Sequence, residues 1–367
     1  MLDPSEARLW AETVARLMAG VENRLIWIIK DHVERGLGAP SYEVRRLAEL
    51  ASVRARLEAE LGRSWPHVIR KVQAVLDEAR EAGQGTAIRD LEHAGLPDRL
   101  PDQMAIGIEA IAADTMLHLT GMPALILRDA VDAYQEVMAL PAAEVASGAV
   151  TRVQATQEAL TRFAKHGLDS FTDKAGRRWR IDSYAEMATR TGALHSMRFG
   201  YERTLTLAGE DLVMVTSHGY TCSKCGPWEG KILSLTGRTP TGWNVAEHAT
   251  QDGVMVRFQV AGTLAEAREA GLFHPNCGHG MAMWLPGIST PAEPGRDQQT
   301  YDASQQQRAL ERDIRLHKRE LAAAITPEAA TEARKKIRAN QARIRDLIEA
   351  HPKLTRKPVR EQIRTAH

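Results

Sequence analysis

Thr221-Cys222-Ser223-Lys224-Cys225-Gly226-Pro227-Trp228-Glu229-Gly230 and, further along, Phe273-His274-Pro275-Asn276-Cys277-Gly278-His279 hold all three cysteines of this 367-residue chain. A C-x-x-C pair on a tight turn, a third sulfur and neighbouring imidazoles are the donors that a tetrahedral zinc ion takes. Two loops remote in sequence must then converge on one point and pin a small core around it. The preferred ligands are Cys222, Cys225, Cys277 and His274. Pro275 stiffens the second loop, so that His274 and Cys277 can point the same way. His279, two residues past Cys277, and His218, four before Cys222, are the alternatives for the fourth place.

Two other readings compete. Cys222 and Cys225 would make a redox pair in a thioredoxin-like βαβ setting, but Gly226-Pro227 follows the second cysteine instead of separating the two, and that setting is absent. The plain reading is that the cysteines are small buried hydrophobes and the histidines ordinary hydrogen-bonded residues. Within the metal reading, a structural ion is favoured over a catalytic one. In the catalytic version Glu229 is a general base beside a zinc-bound water, with His218 or His279 as the acid. No H-E-x-x-H, no H-x-E paired with P-C-x-x-C and no P-loop supports it. Glu229 is therefore read as a partner of Lys231 or a turn cap, and no catalytic residue or small-molecule substrate is assigned.

The bulk composition is neutral ground. With 48 Lys+Arg against 47 Asp+Glu, the formal charge is +1, which gives no overall pull toward nucleic acid or membrane. The charge is uneven, however: residues Tyr301–His367 carry 16 Lys+Arg and 9 Asp+Glu, +7 in all. An odd cysteine count argues against a disulfide-stapled secreted fold. The N-terminus, Met1-Leu-Asp-Pro-Ser-Glu6, reads as no signal peptide, and the apolar run Leu25–Ile29 is far too short to span a bilayer. Synthesis in a reducing cytoplasm is expected.

Outward from the cysteines, the fold class reads as α+β. Residues 1–168 form a helical region. Asp3-Pro4-Ser5-Glu6 is a helix start, and Trp10, Val14, Leu17, Val21, Leu25 and Ile28 mark one buried face. A second helix is expected from Ser41 with Leu47, Leu50, Leu57 and Leu61 inward. Ser64-Trp65-Pro66 is expected to open a third, and Gly83–Leu100 to be loop. Further helices are expected at Asp102–Leu119, Ala124–Leu140 and Ala142–Lys165. Residues 169–287 form the α+β Cys/His core: a hairpin at Phe171–Ile181, a helix capped by Asp182-Ser183, strands at Asp211–Thr216 and Val254–Val260, and a capping box at Thr263–Glu266. Residues 288–300 are a linker. Residues 301–367 form a basic antiparallel helical hairpin, with Leu310, Ile314, His317 and Leu321 facing Ile337, Gln341, Ile344 and Ile348. Thr326-Pro327 starts its second helix.

Thr216-Ser217-His218, Cys222-x-x-Cys225, Pro227-Trp228-Glu229-Gly230-Lys231 and His274-Pro275-Asn276-Cys277-Gly278-His279, in that order, resemble the phage minor capsid protein 2 family, related to head-morphogenesis proteins of the Mu F type. Asp173-x-x-Gly176-Arg177-x-Trp179, Tyr184–Met187 and Arg190-Thr191 resemble its preceding segment, and Tyr301 with Ser304–Arg308, Leu310–Arg312 and Ile314-Arg315 its C-terminal helix. Gly278 stands where arginine is usual, and Thr216 where the first serine is usual. The resemblance implies a virion protein of a tailed phage, located in the head at the portal vertex and assisting head assembly or genome packaging and delivery. It implies the portal protein and other head proteins as partners, with residues 1–168 as the docking region. A basic hairpin could lie against packaged double-stranded DNA through Arg334, Lys335, Lys336, Arg338, Arg343 and Arg345, with Lys353, Arg356, Lys357, Arg360 and Arg364 beyond. A solvated helix face is the bland alternative, which the interleaved Asp346 and Glu349 favour. The competing functional classes are a zinc-dependent hydrolase such as a nuclease carried in the virion, and a non-catalytic DNA-binding zinc module.

Overall fold

The computed structural model describes residues 5–36, 42–96, 108–146, 151–166, 171–172, 178–217, 223–274, 277–290 and 297–363. Asp3-Pro4, the turn around Gly176, His218, Cys222, Pro275-Asn276, linker residues 291–296 and Arg364 lie outside them. The chain is α+β, and its helices are α1 (Ser5–Gly36), α2 (Tyr42–His93), α3 (Ile108–Thr120), α4 (Met122–Ala146), α5 (Arg152–His166), α6 (Ile181–Leu207), α7 (Leu264–Glu269), α8 (Gln298–Ala322) and α9 (Pro327–Ala350). A two-stranded pair, β1 (Phe171–Thr172) and β2 (Arg178–Trp179), is antiparallel where a hairpin was expected. A five-stranded mixed sheet holds β3 (Leu212–Val215), β4 (Ile232–Ser234), β5 (Gly242–His248), β6 (Gln251–Thr263) and β7 (Met281–Met283) in the order β5-β6-β4-β3-β7. No described helix is long and apolar enough to cross a membrane.

The chain folds into two compact units that do not follow chain order. One gathers Met1–Ala11, Val72–Thr115 and Met187–Tyr301; the other gathers Glu12–Lys71, Met116–Glu186 and Asp302–His367. Helices α1, α2, α3, α6 and α8 each contribute to both.

The first unit carries the sheet. β3 pairs antiparallel with β4 and β7, β4 runs parallel to β6, and β5 closes the edge as a hairpin with β6. β3 and β4 are buried nearly throughout, which suits their continuous apolar sequence. Met214, Ile232, Phe258, Val260 and Trp284 form the core of the sheet, with Leu212 and Ala246 against them. Each such side chain contributes roughly 1.5–3 kcal/mol before chain entropy is charged against it. The Phe258 and Trp284 rings lie 4.4 Å apart. Tyr201 of α6 donates its hydroxyl to Asp90 of α2 and accepts the Met283 amide of β7 at 2.7 Å, so one side chain ties two helices to the sheet. The capping box is present: Thr263 accepts from the Glu266 amide and Glu266 from the Thr263 amide.

Three expected helix breaks are absent, one of them at Pro141, since α4 continues to Ala146 where a new helix was expected from Ala142. α2 is one helix of 52 residues through Pro66, where a new helix start was expected. Proline removes one helical hydrogen bond and crowds the carbonyl four residues back. That residue is Gly62, around which a Cβ would meet nothing within 4 Å, so there is room to bend. The expected loop at Gly83 is also helix. A Cβ on Gly83 would lie 1.9 Å from the Met197 carbonyl oxygen, and one on Gly200 would lie 2.5 Å from that of Arg80. These glycines let α2 and α6 approach backbone to backbone, and chain flexibility is not their role.

The second unit is helical apart from the β1–β2 pair. α1 buries the expected Val14, Val21, Leu25 and Ile28, and also Met18, Ile26 and Ile29, so more than one stripe faces inward. Glu22, 1% exposed, meets Arg180 at 3.2 Å and Arg319 at 3.6 Å. α8 and α9 pack as the expected helical hairpin through Leu310, Ile314 and Ile344, with Ile337, Leu347 and Ile348 alongside. Thr326 caps α9 by accepting from the Ala329 amide at 3.2 Å. The carbonyl of the Gln157 side chain accepts the Ile325 and Thr326 amides at 2.6 and 3.1 Å, which fastens the turn of that hairpin to α5.

Candidate metal centre

The first loop leaves β3 and returns as β4. The Trp228 amide donates to the Cys225 carbonyl at 2.9 Å, closing a 3-10 turn that Pro227 fits because no amide is needed there. Gly230, at φ 67°, turns the chain sharply, and its amide reaches the Val215 carbonyl at 2.9 Å. Cys225 and Glu229 are thereby held at the end of β3.

The second loop follows α7. The Cys277 amide donates to the His274 carbonyl at 2.9 Å, and the His279 amide points at the Cys277 sulfur at 3.4 Å. The Gly280 amide donates to the Thr216 hydroxyl at 3.0 Å, and the Thr216 amide donates to the Gly280 carbonyl at 3.1 Å. Threonine at 216 thus supplies the hydroxyl that a serine would. Phe273 adopts φ 61°, rare for a bulky residue, and its ring lies 4.0 Å beneath the Arg198 guanidinium. Arg198, on α6 and 2% exposed, also donates to the His279 carbonyl at 2.7 Å.

The two loops meet. Cys225 Sγ lies 3.5 Å from Cys277 Sγ, which lies 3.3 Å from His279 Nδ1. The three ligand atoms fall within 4.8 Å of one another, and all three residues are buried. A tetrahedral ion with Zn–S near 2.3 Å and Zn–N near 2.0–2.1 Å needs ligand separations of about 3.3–3.8 Å. The donor set fits, and the group can hold a metal ion. Behind it, His279 Nε2 is hydrogen-bonded to Glu229, 2% exposed. A carboxylate on the far nitrogen fixes the ring and raises its basicity as a ligand.

The electrostatics agree with an anionic sulfur. The Cys277 thiol is held well below its ordinary range, first by the Cys225 sulfur and then, against burial, by His279 and the Arg198 cation. Burial opposes a charge on His279, but its contacts with Cys277 and Glu229 prevail and raise its pKa. Burial brings Arg198 down to about 10, with Cys277 and Glu202 holding it up.

Of the expected ligands, the structure brings Cys225, Cys277 and His279 together. His274 is not in that group, and Cys222 and His218 lie outside the described residues. Glu229 is a buried partner of His279, where an ion pair with Lys231 or a turn cap was expected. Sequence reasoning passed over Arg198 altogether, since one arginine inside a helix carries no signal. On α9, Arg334, Lys335, Arg338, Arg343 and Arg345 are exposed. Lys336 is half-buried, 3.9 Å from Glu332. Arg356 and Arg360 are already paired with carboxylates: half-buried Arg356 grips Glu361 at 2.7 and 2.8 Å, and Arg360 turns inward to meet Glu12 at 2.6 Å.

A protein of Lactococcus phage LL-H named "Structural protein" is 24% identical over 236 residues, covering 62% of this chain and 61% of that relative. The chain thus spans about three-fifths of the relative's length. No solved structure matches. The family model described as phage minor capsid protein 2 matches residues 2–349, and the chain belongs to that family.

Proposed function

We propose that this protein is a structural component of a tailed-phage head, seated at the portal vertex, whose α+β core is pinned by a zinc ion and which assists head assembly or genome packaging and delivery. The observation that carries the reading is the family match over residues 2–349, nearly the whole chain. Its partners are then the portal protein and other head proteins, and its place is the virion. Zinc suits the site because two sulfurs and an imidazole, all buried, are donors that a d¹⁰ ion accepts without demanding a further geometry. Cys222 is the natural fourth ligand, completing a Cys₃His set. A closed, buried site of that composition is structural in character, and Glu229 is engaged with His279. The exposed arginines and lysines of α9 would lie along packaged DNA, contacting phosphates without reading bases.

Cross-linking of purified particles followed by mass spectrometry tests the location. Cross-links between residues 1–168 and the portal protein are expected. Particles in which this chain is absent, or is linked only to proteins remote from the portal, contradict the proposal. A nuclease assay comparing wild type with Glu229→Gln tests the enzymatic alternative: equal background activity is expected, and metal-dependent cleavage lost in the variant would replace the structural role with a catalytic one.

A further inference from the structure

β5 is the outer strand of the five-stranded sheet: β6 covers one side, and among the described residues no strand pairs with the other. Soluble proteins guard such edges with lysine, proline, bulges or extreme shortness. β5 runs seven residues, Gly-Trp-Asn-Val-Ala-Glu-His, with neither lysine nor proline. Its register with β6 is regular up to the final step between Glu247 and His248. Alternation places Trp243, Val245 and Glu247 on one face, and the register adds Gln259, Arg257 and Met255 from β6. The other face, with Ala246, Phe258 and Val260, goes to the core. On the outward face Trp243 is 62%, Val245 60% and Met255 62% exposed, a contiguous apolar stripe facing solvent. The Arg257 guanidinium lies 4.3 Å above the Trp243 ring.

We propose that β5 pairs with β5 of a second copy of this chain, antiparallel about a two-fold axis through Val245, so that two sheets become one. The charges on this face are what select a copy of the same chain. In that register Val245 opposes its own counterpart, and Trp243 opposes the other copy's Glu247, because directly opposed residues in an antiparallel pair share a face. Arg257, resting on Trp243, then stands beside the other copy's Glu247, and the two-fold repeats the contact. Glu247 uses Oε1 to accept the Gly253 amide at 2.6 Å, which holds its carboxylate at the hairpin end where the arginine arrives. The contact sets the two Val245 side chains side by side and each Trp243 against the other copy's Glu247, and it satisfies the open edge. This interface is separate from the metal centre and from the portal-vertex reading.

Light scattering and sedimentation of the full-length chain over a concentration series test it. Wild type is expected to dimerise reversibly. Glu247→Arg and Arg257→Glu each set like charges together at both ends of the interface and should each weaken the dimer about tenfold or more. An equimolar mixture of the two variants opposes arginine to glutamate at every contact and should restore a dimer with one of each. Val245→Lys, at an exposed position, places two lysines on the axis and should abolish the dimer with an unchanged circular dichroism spectrum. A wild type that stays monomeric, variants that dimerise as wild type does, or a mixture that fails to recover would each overturn the proposal. Pairing only with an extended strand of a different head protein would likewise replace it.

Discussion

Asp211 organises the loop after β4 with a single side chain. It accepts from the Ser234 hydroxyl at 2.8 Å, the Thr236 amide and hydroxyl at 2.9 and 2.6 Å, and the Thr239 amide and hydroxyl at 2.9 and 2.7 Å. Burial alone would raise its pKa, but the donors from Thr236, Thr239 and Ser234 outweigh it and bring the carboxyl to about 2. The folded value lies below the unfolded one, so the unfolded chain binds the proton more tightly. The stabilisation is complete above the ordinary carboxylate pKa near 4 and is lost as pH falls through about 2, on the order of 1–2 kcal/mol. Asp211→Ala should therefore cost roughly 2–4 kcal/mol in urea unfolding at neutral pH, and its stability should change less than that of wild type between pH 4 and 2. Glu229→Gln should keep the fold but weaken metal binding about 10–100-fold in a chelator competition, since it alters only the group behind His279. Unchanged affinity would leave Glu229 without an orienting role. At this scale the sulfurs were legible because cysteine is rare in the chain and clustered. The choice among His218, His274 and His279 was not, since it depends on how Cys277 and His279 turn within the loop. Arg198 was hidden because its role comes only from where α6 packs.

Among the elements, most periodic apolar faces and two of the caps read true. Asp182-Ser183, expected to cap α6, instead lie inside it because the helix already starts at Ile181. The cap at Thr326 and the capping box at Thr263 stand where spacing placed them. The α8–α9 seam does so at Leu310, Ile314, Ile337, Ile344 and Ile348, while Leu347 joins it and His317 and Gln341 bond to Glu320 and Glu361 instead. Glycine and proline misled, because the same residues serve loops and close helix crossings. Gly83→Ala and Gly200→Ala test this, since a methyl at either position strikes backbone and not a flexible side-chain end. Each should destabilise the chain by roughly 1–3 kcal/mol or more, where an exposed helical Gly→Ala change, such as at Gly62, should stabilise it by up to about 1 kcal/mol. Equal responses at the three sites in urea titrations would argue against the close crossing. The short strands β4 and β7 and the edge strand β5 went unread. Three residues are too few for alternation to register, and β5 places tryptophan and valine on the solvent side, against the usual pattern.

For the whole molecule, the α+β class followed from a change in pattern after α5, but the assembly of each unit from separated stretches did not. Contacts such as those of Glu22 with Arg180 and Arg319 join positions far apart in the chain, and no local pattern announces them. Glu22→Ala leaves two arginines short of a buried partner and should cost about 3–5 kcal/mol. A thermal shift within error of wild type would show that the pair is dispensable. The Cys225–Cys277–His279 group is the other long-range tie, joining the loop after β3 to the loop after α7, and in the proposed function a zinc ion holds it together. Elemental analysis of the purified full-length chain, wild type beside Cys277→Ser, examines that tie directly. About one zinc per wild-type chain, lost in the variant together with a lower melting temperature, is the expected result. Wild-type protein that folds and melts identically with no stoichiometric metal would contradict it.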